Sequence, residues 1–359
     1  MLVVVALIAV MVGLLMVAVG KVRERSRQTR SQAILTSFAN ACEAFRLEHG
    51  FYPGLVPEDV LAFHNHQLIH SEPVDAISST ENALLHLLGG YVRASDVDAA
   101  TYDALTAADG WREVQLLTPS AIPYRFKFNP GRIGEGPVID GKAYPPYFDP
   151  SGGVVRTVAR GADDYVQWPA AGGDEEEIAL FGLPDLVDAW GNPVVYMRQA
   201  REHGGLVRDA HEYLAQKPQF YIDSAWPYLR GRRQVWRDPC DGGDGAGSLL
   251  YGNHFTGPPG GFDPSLVRRG MALILRHPVS GPVDPVDLGV PGTPRGKFLL
   301  ISAGADGVFF SAADGPGAAN RPIGSGGCGE YESFPYEDFL RQGSAGLDSF
   351  DDVVTFGGG

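Results

Sequence analysis

The chain has 359 residues, of which 44% are apolar, and a formal net charge of −14. The apolar content is sufficient for a packed core, and the acidic excess argues against a nucleic-acid-binding protein, because phosphate contacts need clustered lysine and arginine. Glycine and proline are abundant, at 47 and 27 residues, which is high for a helical bundle and predicts many loops around a modest sheet.

The first predicted element is an apolar helix at the N-terminus. Residues 1–20 contain no charged side chain, and about 20 apolar residues in one helix match the thickness of a bilayer's hydrocarbon core. A cleaved signal peptide would instead have basic residues ahead of a shorter apolar core, and Val17–Gly20 is a poor cleavage site. We therefore expect a retained transmembrane anchor at residues 1–20, in preference to a cleaved signal peptide.

The helix is predicted to continue well beyond this apolar segment. No glycine or proline occurs from Lys21 to His49. Apolar residues recur at spacings of four, three and four, and we call them the core stripe: Ile34, Phe38, Ala41 and Phe45. This periodicity places one apolar stripe on an otherwise polar rod. Gly50 offers a left-handed cap, so we expect one helix of about 48 residues.

Residues 51–182 are predicted to be an insertion of short helices and loops. Two helices are expected, over Glu58–His70 and Glu81–Leu88. Ser78 and Glu81 have the spacing of a capping box, and the glycines after Leu88 close the second helix. A short strand is expected at Tyr124–Phe128.

Residues 183–359 are predicted to be rich in antiparallel strands. The expected strands are Val194–Met197, Lys297–Ser302 and Asp352–Phe356. A sheet of this kind can lay one face on the core stripe of the helix. The predicted fold class is therefore α+β, with a long N-terminal helix packed on a small antiparallel sheet. The domain divisions are residues 1–50, 51–182 and 183–359, and we call residues 51–359 the head.

The sequence contains none of the common catalytic motifs. There is no G-x-S-x-G elbow, no H-E-x-x-H and no G-x-x-x-x-G-K-[ST] loop. We therefore expect a protein that is not an enzyme and has no catalytic residues. A hydrolase assembled from dispersed residues stays open, because catalytic triads are defined in space rather than along the sequence.

Three histidines lie close together at His64, His66 and His70. On a helix, His66 and His70 share a face and could hold a transition metal. No nearby cysteine or helical glutamate completes a coordination shell, so hydrogen-bonded or exposed histidines are favoured over a metal site.

Five segments share their residue patterns and their order with one known family. They are the apolar start Met1–Leu15, the helix end His49–Pro53, the turn Asp188–Tyr196, the loop Phe298–Gly307 and the terminal segment Phe350–Val354. Together they resemble type IV pilins, and most closely the major pseudopilin of type II secretion systems. The turn departs from the family pattern in one position, because Ala189 stands where the family has proline.

The resemblance implies a structural subunit of a pilin-like filament, most closely a type II secretion pseudopilus, which assembles through its N-terminal apolar helix. The implied partners are copies of the chain, other pilin-like subunits, the inner membrane and the secretion or pilus assembly platform. In the family a basic leader and a glutamate precede the segment that starts here. We therefore expect either a start further upstream or a subunit that is not processed as its relatives are.

The charges beside the apolar segment and the resemblance place the head on opposite sides of a membrane. Five basic residues and Glu24 give a net charge of +4: Lys21, Arg23, Arg25, Arg27 and Arg30. The positive-inside rule would put this side in the cytoplasm, whereas pilins expose the head outside the inner membrane. Following the resemblance, we expect a single-pass inner-membrane protein with a periplasmic or extracellular head.

The resemblance also implies a calcium site in the C-terminal region. Asp306 matches the family's Ser-x-Gly-Ala-Asp-Gly loop directly, and Asp314, Asp351 and Asp352 match by order only. Calcium prefers six to eight oxygen ligands from carboxylates and carbonyls on flexible loops. In the major pseudopilin, calcium in this loop holds the C-terminal region to the subunit body. The alternative is that these Asp-Gly pairs simply form turns.

The chain contains three cysteines, which allow at most one disulfide. Cys240 and Cys328 both lie in turn-rich sequence, where a bridge would restrain the chain in an oxidising compartment. Two unpaired cysteines are the alternative. Cys42 lies beside the core stripe, among Phe38, Ala41 and Phe45, and is interpreted as a small apolar helix residue.

A different class of function is also compatible with these features. The chain could be a membrane-tethered periplasmic enzyme or ligand-binding protein that uses the N-terminal helix only as an anchor. In that case, changes to the apolar part of the helix would leave the activity of the head intact.

Overall fold

The computed structural model describes residues 2–68, 76–120, 122–157, 183–208, 217–225, 228, 270–272, 274–277, 292–305, 307, 309–310, 347 and 352–358. The fold class is α+β, as expected, with a long N-terminal helix and several small sheets. The helices are α1 (Leu2–His49), α2 (Glu58–Leu68), α3 (Ser79–Leu88) and α4 (Ala99–Ala104). The first strands are β1 (Tyr91–Arg93), β2 (Arg112–Leu116), β3 (Tyr124–Phe128), β4 (Val138–Ile139), β5 (Lys142–Ala143) and β6 (Val155–Thr157). The later strands are β7 (Pro184–Leu186), β8 (Val195–Arg198), β9 (Val207–Arg208), β10 (Phe220–Tyr221), β11 (Phe298–Ser302) and β12 (Val353–Gly357).

Helix α1 is continuous over 48 residues and is therefore about 70 Å long. It ends where the sequence predicts, because Gly50 adopts a positive φ of 82° and its N–H donates to the carbonyl of Arg46 at 2.7 Å. The core stripe is buried in all four positions: Ile34, Phe38, Ala41 and Phe45. The amphipathic half of the predicted helix is thereby confirmed.

The expected transmembrane anchor at residues 1–20 is not supported. A bilayer crossing needs about 20 predominantly apolar residues within one helix. Within the described part of the chain, no helix is both long enough and apolar enough to meet that requirement. The prediction of a single-pass inner-membrane protein is therefore wrong.

The sheet that packs on α1 has three antiparallel strands in the order β12-β11-β8. In the central strand β11, Phe298 and Leu300 belong to the same core as the core stripe of α1. Leu299 and Ile301 belong to a second core on the opposite face. Successive side chains of a strand point to opposite faces, so both faces are covered and all five residues of β11 are buried. The three predicted strands are confirmed to within one or two residues.

The insertion contains two buried helices and a sheet of its own. The capping box of α3 is confirmed, since the Ser78 hydroxyl accepts from the backbone of Glu81 and the Glu81 carboxylate accepts from the backbone of Ser78. Strand β3, predicted at the bounds observed, is the centre of an antiparallel sheet with the order β1-β3-β2. Helix α2 ends at Leu68 in the described residues, and His70 lies outside them.

The remaining strands form two-stranded pairs. Strands β4 and β5 are a tight hairpin whose turn residues, Asp140 and Gly141, have φ values of 52° and 76°. Two positive φ angles are typical of a type I′ turn, for which an Asp-Gly pair is favoured. Strands β6 and β7 pair antiparallel, and β9 and β10 pair parallel.

Candidate functional site

The N-terminal half of α1 presents large apolar side chains to solvent. Four of them follow one face of the helix and form what we call the exposed stripe: Met11, Leu15, Val19 and Val22. Leu15 is 59% exposed, and Met16 beside the stripe is 72% exposed. Contiguous apolar surface of this kind marks an interaction site rather than a solvated face.

A basic segment, residues 21–30, lies between the apolar N-terminal part of α1 and the part that packs on the head. Every residue from Val19 to Arg30 is exposed, and this range includes the five basic residues that follow the apolar segment. Arg30 contacts the head, since its Nη2 donates to the carbonyl of Gly152 at 3.2 Å. The helix therefore divides into an exposed apolar part, an exposed basic part and a buried amphipathic part.

The Asp188 carboxylate organises the turn between β7 and β8. Its Oδ1 accepts from the backbone N–H groups of Trp190 at 2.9 Å and Asn192 at 2.8 Å. Its Oδ2 accepts from the hydroxyl of Ser302 at 2.7 Å. Burial raises the pKa of Asp188, while these hydrogen bonds act in the opposite direction. Both carboxylate oxygens therefore accept hydrogen bonds, and these bonds hold the turn against the end of β11.

The same turn contacts the loop after β11 and also helix α1. The Asn192 side chain donates from Nδ2 to the carbonyl of Gly304 at 2.9 Å. The backbone N–H of Ala189 donates to the hydroxyl of Ser31 on α1 at 3.0 Å. Two of the segments that resemble pseudopilins, distant in sequence, are therefore hydrogen-bonded to each other.

The predicted calcium ligands lie mostly outside the described residues. Asp306, Asp314 and Asp351 are outside, whereas Asp352 is described and buried. The Oδ2 of Asp352 accepts from the backbone N–H of Phe310 at 2.8 Å, which ties the start of β12 to the turn after β11. No group of three or more metal-ligating side chains occurs among the residues that the structure describes. Calcium binding stays a prediction.

Two of the three clustered histidines have hydrogen-bond partners within the head. The Nδ1 of His64 accepts from the backbone N–H of Leu117 at 3.1 Å. The Nδ1 of His66 lies 3.2 Å from Oδ1 of Asp223. This agrees with the favoured interpretation of hydrogen-bonded histidines.

The cysteine predictions have different outcomes. Cys42 is fully buried beside the core stripe and unbridged, and burial raises the pKa of its thiol, so the interpretation as a small apolar residue is confirmed. Cys240 and Cys328 lie outside the described residues, so a disulfide between them and two unpaired cysteines both stay open.

Sequence reasoning missed a buried ion pair that fixes the segment entering the head. Arg198, at the end of β8, donates from Nε to Oε1 of Glu58 at 2.8 Å. Its Nη1 and Nη2 donate to the carbonyls of Tyr52 at 2.7 Å and Val56 at 2.9 Å. The two charged residues are 140 positions apart, so no local pattern in the sequence indicates the pair.

Comparison of the chain with protein-family models, with curated proteins and with solved structures finds no match. The functional argument therefore depends on the surface of α1, on the hydrogen-bonded turn and on the residue patterns.

Proposed function

We propose that this protein is a structural subunit of a pilin-like filament, most closely a type II secretion pseudopilus, and that it assembles through the exposed part of α1. The observation that carries the proposal is the exposed stripe on the N-terminal half of a helix whose C-terminal half is buried in the head. Such a helix has one part held by its own chain and one part available to other chains.

The energetic argument concerns the apolar side chains of the exposed stripe. Burying one leucine-sized or methionine-sized side chain contributes about 1.5 to 3 kcal/mol. Several such side chains on one helix therefore favour association strongly, even after the entropic cost of bringing subunits together. Met11 and Leu15 contribute most, because they are the largest side chains of the stripe and are 57% and 59% exposed.

The continuity of α1 makes this association suitable for a regular assembly. The helix has no proline and runs from Leu2 to His49 without a break. Its buried part is fixed by the core that includes Phe38 and Phe45. The exposed part is therefore held at a fixed direction relative to the head, so that identical contacts can repeat from one copy to the next.

The choice of a pseudopilin among helical assembly proteins follows from the residue patterns. The contact between Asn192 and Gly304 joins two segments that resemble the major pseudopilin. The packing of α1 on a three-stranded antiparallel sheet is consistent with the same family. The proposed partners are copies of this chain, other pilin-like subunits and a secretion or pilus assembly platform. Calcium bound in the C-terminal region would hold that region to the body of the head, as the resemblance implies.

The proposal is tested by the association of two differently tagged copies of the full chain. We expect the second copy to co-purify with the first, and the Leu15→Asp variant to lose this co-purification, because a carboxylate would be buried in an apolar interface. The matched control is Leu117→Asp, which changes an exposed leucine in the loop between β2 and β3. Equal co-purification of both variants, or a wild-type chain that never associates, would contradict the proposal.

A further inference from the structure

A cavity in the insertion has the features of a ligand site and is separate from the exposed stripe of α1. It lies between β1, the turn that follows β1, and residues 132–141, and has a volume of about 430 Å³. This volume falls within the usual range for small-molecule pockets. Its lining comprises three valines, two aromatic residues, one serine, five charged residues and glycine backbone.

One wall of the cavity is built on backbone that is held in place. The N–H groups of Gly134 and Gly136 both donate to the carbonyl of Leu88 at the end of α3, at 3.0 and 2.8 Å. Gly136 has a φ of 90°, which a residue with a side chain rarely adopts. The wall is therefore set by the fold and needs no ligand to form it.

Part of the lining is apolar. Val92, Val97 and Val138 line the cavity, and the Val138 side chain is 49% exposed. Trp111 is buried beneath the guanidinium of Arg132, which lies 5.5 Å from the centre of its ring. This lining offers an apolar face to one side of a ligand.

The polar part of the lining combines donors and acceptors in pairs. Arg93 and Asp96 form an ion pair at 2.7 Å, and Arg132 and Glu135 form another at 2.8 Å. In both pairs the two side chains are partly exposed, so each presents donor N–H groups beside acceptor oxygens. Asp140 adds a further exposed carboxylate, which forms no ion pair among the described residues.

This combination indicates the chemistry of the ligand. The cavity has two guanidinium groups and three carboxylates, so its net charge is small. Neither a highly charged anion nor a highly charged cation is therefore favoured as its ligand. A hydroxyl group both donates and accepts, and neighbouring hydroxyls match an arginine beside a carboxylate. The C–H face of a sugar ring matches the apolar lining. We propose that this cavity binds a neutral saccharide.

The test uses the purified full chain and an array of neutral hexose and N-acetylhexosamine oligosaccharides, followed by calorimetric titration with the best-bound member. We expect measurable affinity that changes little with salt, because the ligand is uncharged. Arg132→Gln should weaken binding about tenfold, because it removes a charged hydrogen-bond donor. Asp140→Asn should weaken binding less while preserving the turn, because asparagine also tolerates a positive φ.

The matched control is Arg125→Gln, which breaks an ion pair with Glu113 outside the cavity and should leave saccharide affinity unchanged. Absence of binding to every neutral saccharide, binding only of charged ligands, or equal affinity in Arg132→Gln and Arg125→Gln would overturn the proposal. The site is independent of assembly, so Leu15→Asp should retain saccharide binding whether or not the chain forms filaments.

Discussion

Acidification is predicted to destabilise the head through His86. The imidazole is buried in α3, packs against the ring of Phe45 at a centroid distance of 4.7 Å, and accepts from the backbone N–H of Gly54 at 3.0 Å. Burial lowers the pKa of His86 to about 3, since the charged form loses its hydration, and the positive charge of Arg198 acts in the same direction. The native state therefore holds this side chain neutral over the ordinary pH range.

The sign and size of the effect follow from linkage between protonation and folding. A histidine in the unfolded chain has a pKa near 6.5 and takes up a proton as the pH falls, whereas His86 in the native state does not. Its contribution to stability is complete above about pH 6.5 and is lost as the pH falls toward the native pKa. At about pH 5 the loss amounts to about 2 kcal/mol, at 1.36 kcal/mol for each pH unit.

The assay is urea unfolding at a series of pH values from about 7.5 to 5. His86→Asn keeps an acceptor near Gly54 but cannot titrate, so we expect a less stable protein whose free energy of unfolding depends less on pH than the wild type's. The control is His203→Asn, which replaces an exposed histidine. The reasoning is refuted if His86→Asn has the same pH dependence as the wild type, since titration of all other groups cancels in that comparison.

Three further predictions concern the C-terminal turn, the buried ion pair and calcium. Asp188→Ala should lower the free energy of unfolding by about 3 kcal/mol, because three donors, two of them in buried hydrogen bonds, lose their acceptor; a loss below about 1 kcal/mol in urea unfolding would contradict this. Arg198→Met should cost about 3 to 5 kcal/mol by leaving Glu58 buried without its cation, and Glu58→Gln in the same chain should restore part of the loss. Calcium at about 1 mM should raise the Tm of the wild type by a few degrees but not that of Asp352→Asn; equal Tm values with calcium and with a chelator would exclude the site.

The parts of the fold that the sequence predicts are those determined by local periodicity and capping. The four-three-four spacing of Ile34, Phe38, Ala41 and Phe45 indicates a buried helical face without knowledge of what covers it. The Ser78 capping box likewise depends on residues three positions apart. Such local patterns predict the structure correctly because the tertiary structure reinforces the local preference.

The features that the sequence does not predict depend on distant residues meeting in space. Lys127 sits in a strand but is buried, because its Nζ donates to the carbonyls of Tyr102 and Leu105 near the end of α4. The pairing of Glu58 with Arg198 and the cavity beside β1 have the same origin. In each case the partners come from separate elements, and their spacing along the chain carries no signal.

The membrane prediction failed for a different reason. It required about 20 predominantly apolar residues in one helix, and no helix of the described residues, α1 included, meets that requirement. The apolar surface of this helix is consistent instead with a surface for protein association. What the sequence identified correctly is the helix itself and its buried half.

Electron microscopy of the purified full chain tests the central claim most directly. We expect the wild type to form thin filaments and Leu15→Asp to yield only separate particles with a folded head, as judged by unchanged urea unfolding. Wild-type particles that remain single at every protein concentration, with no difference from Leu15→Asp, would contradict the account.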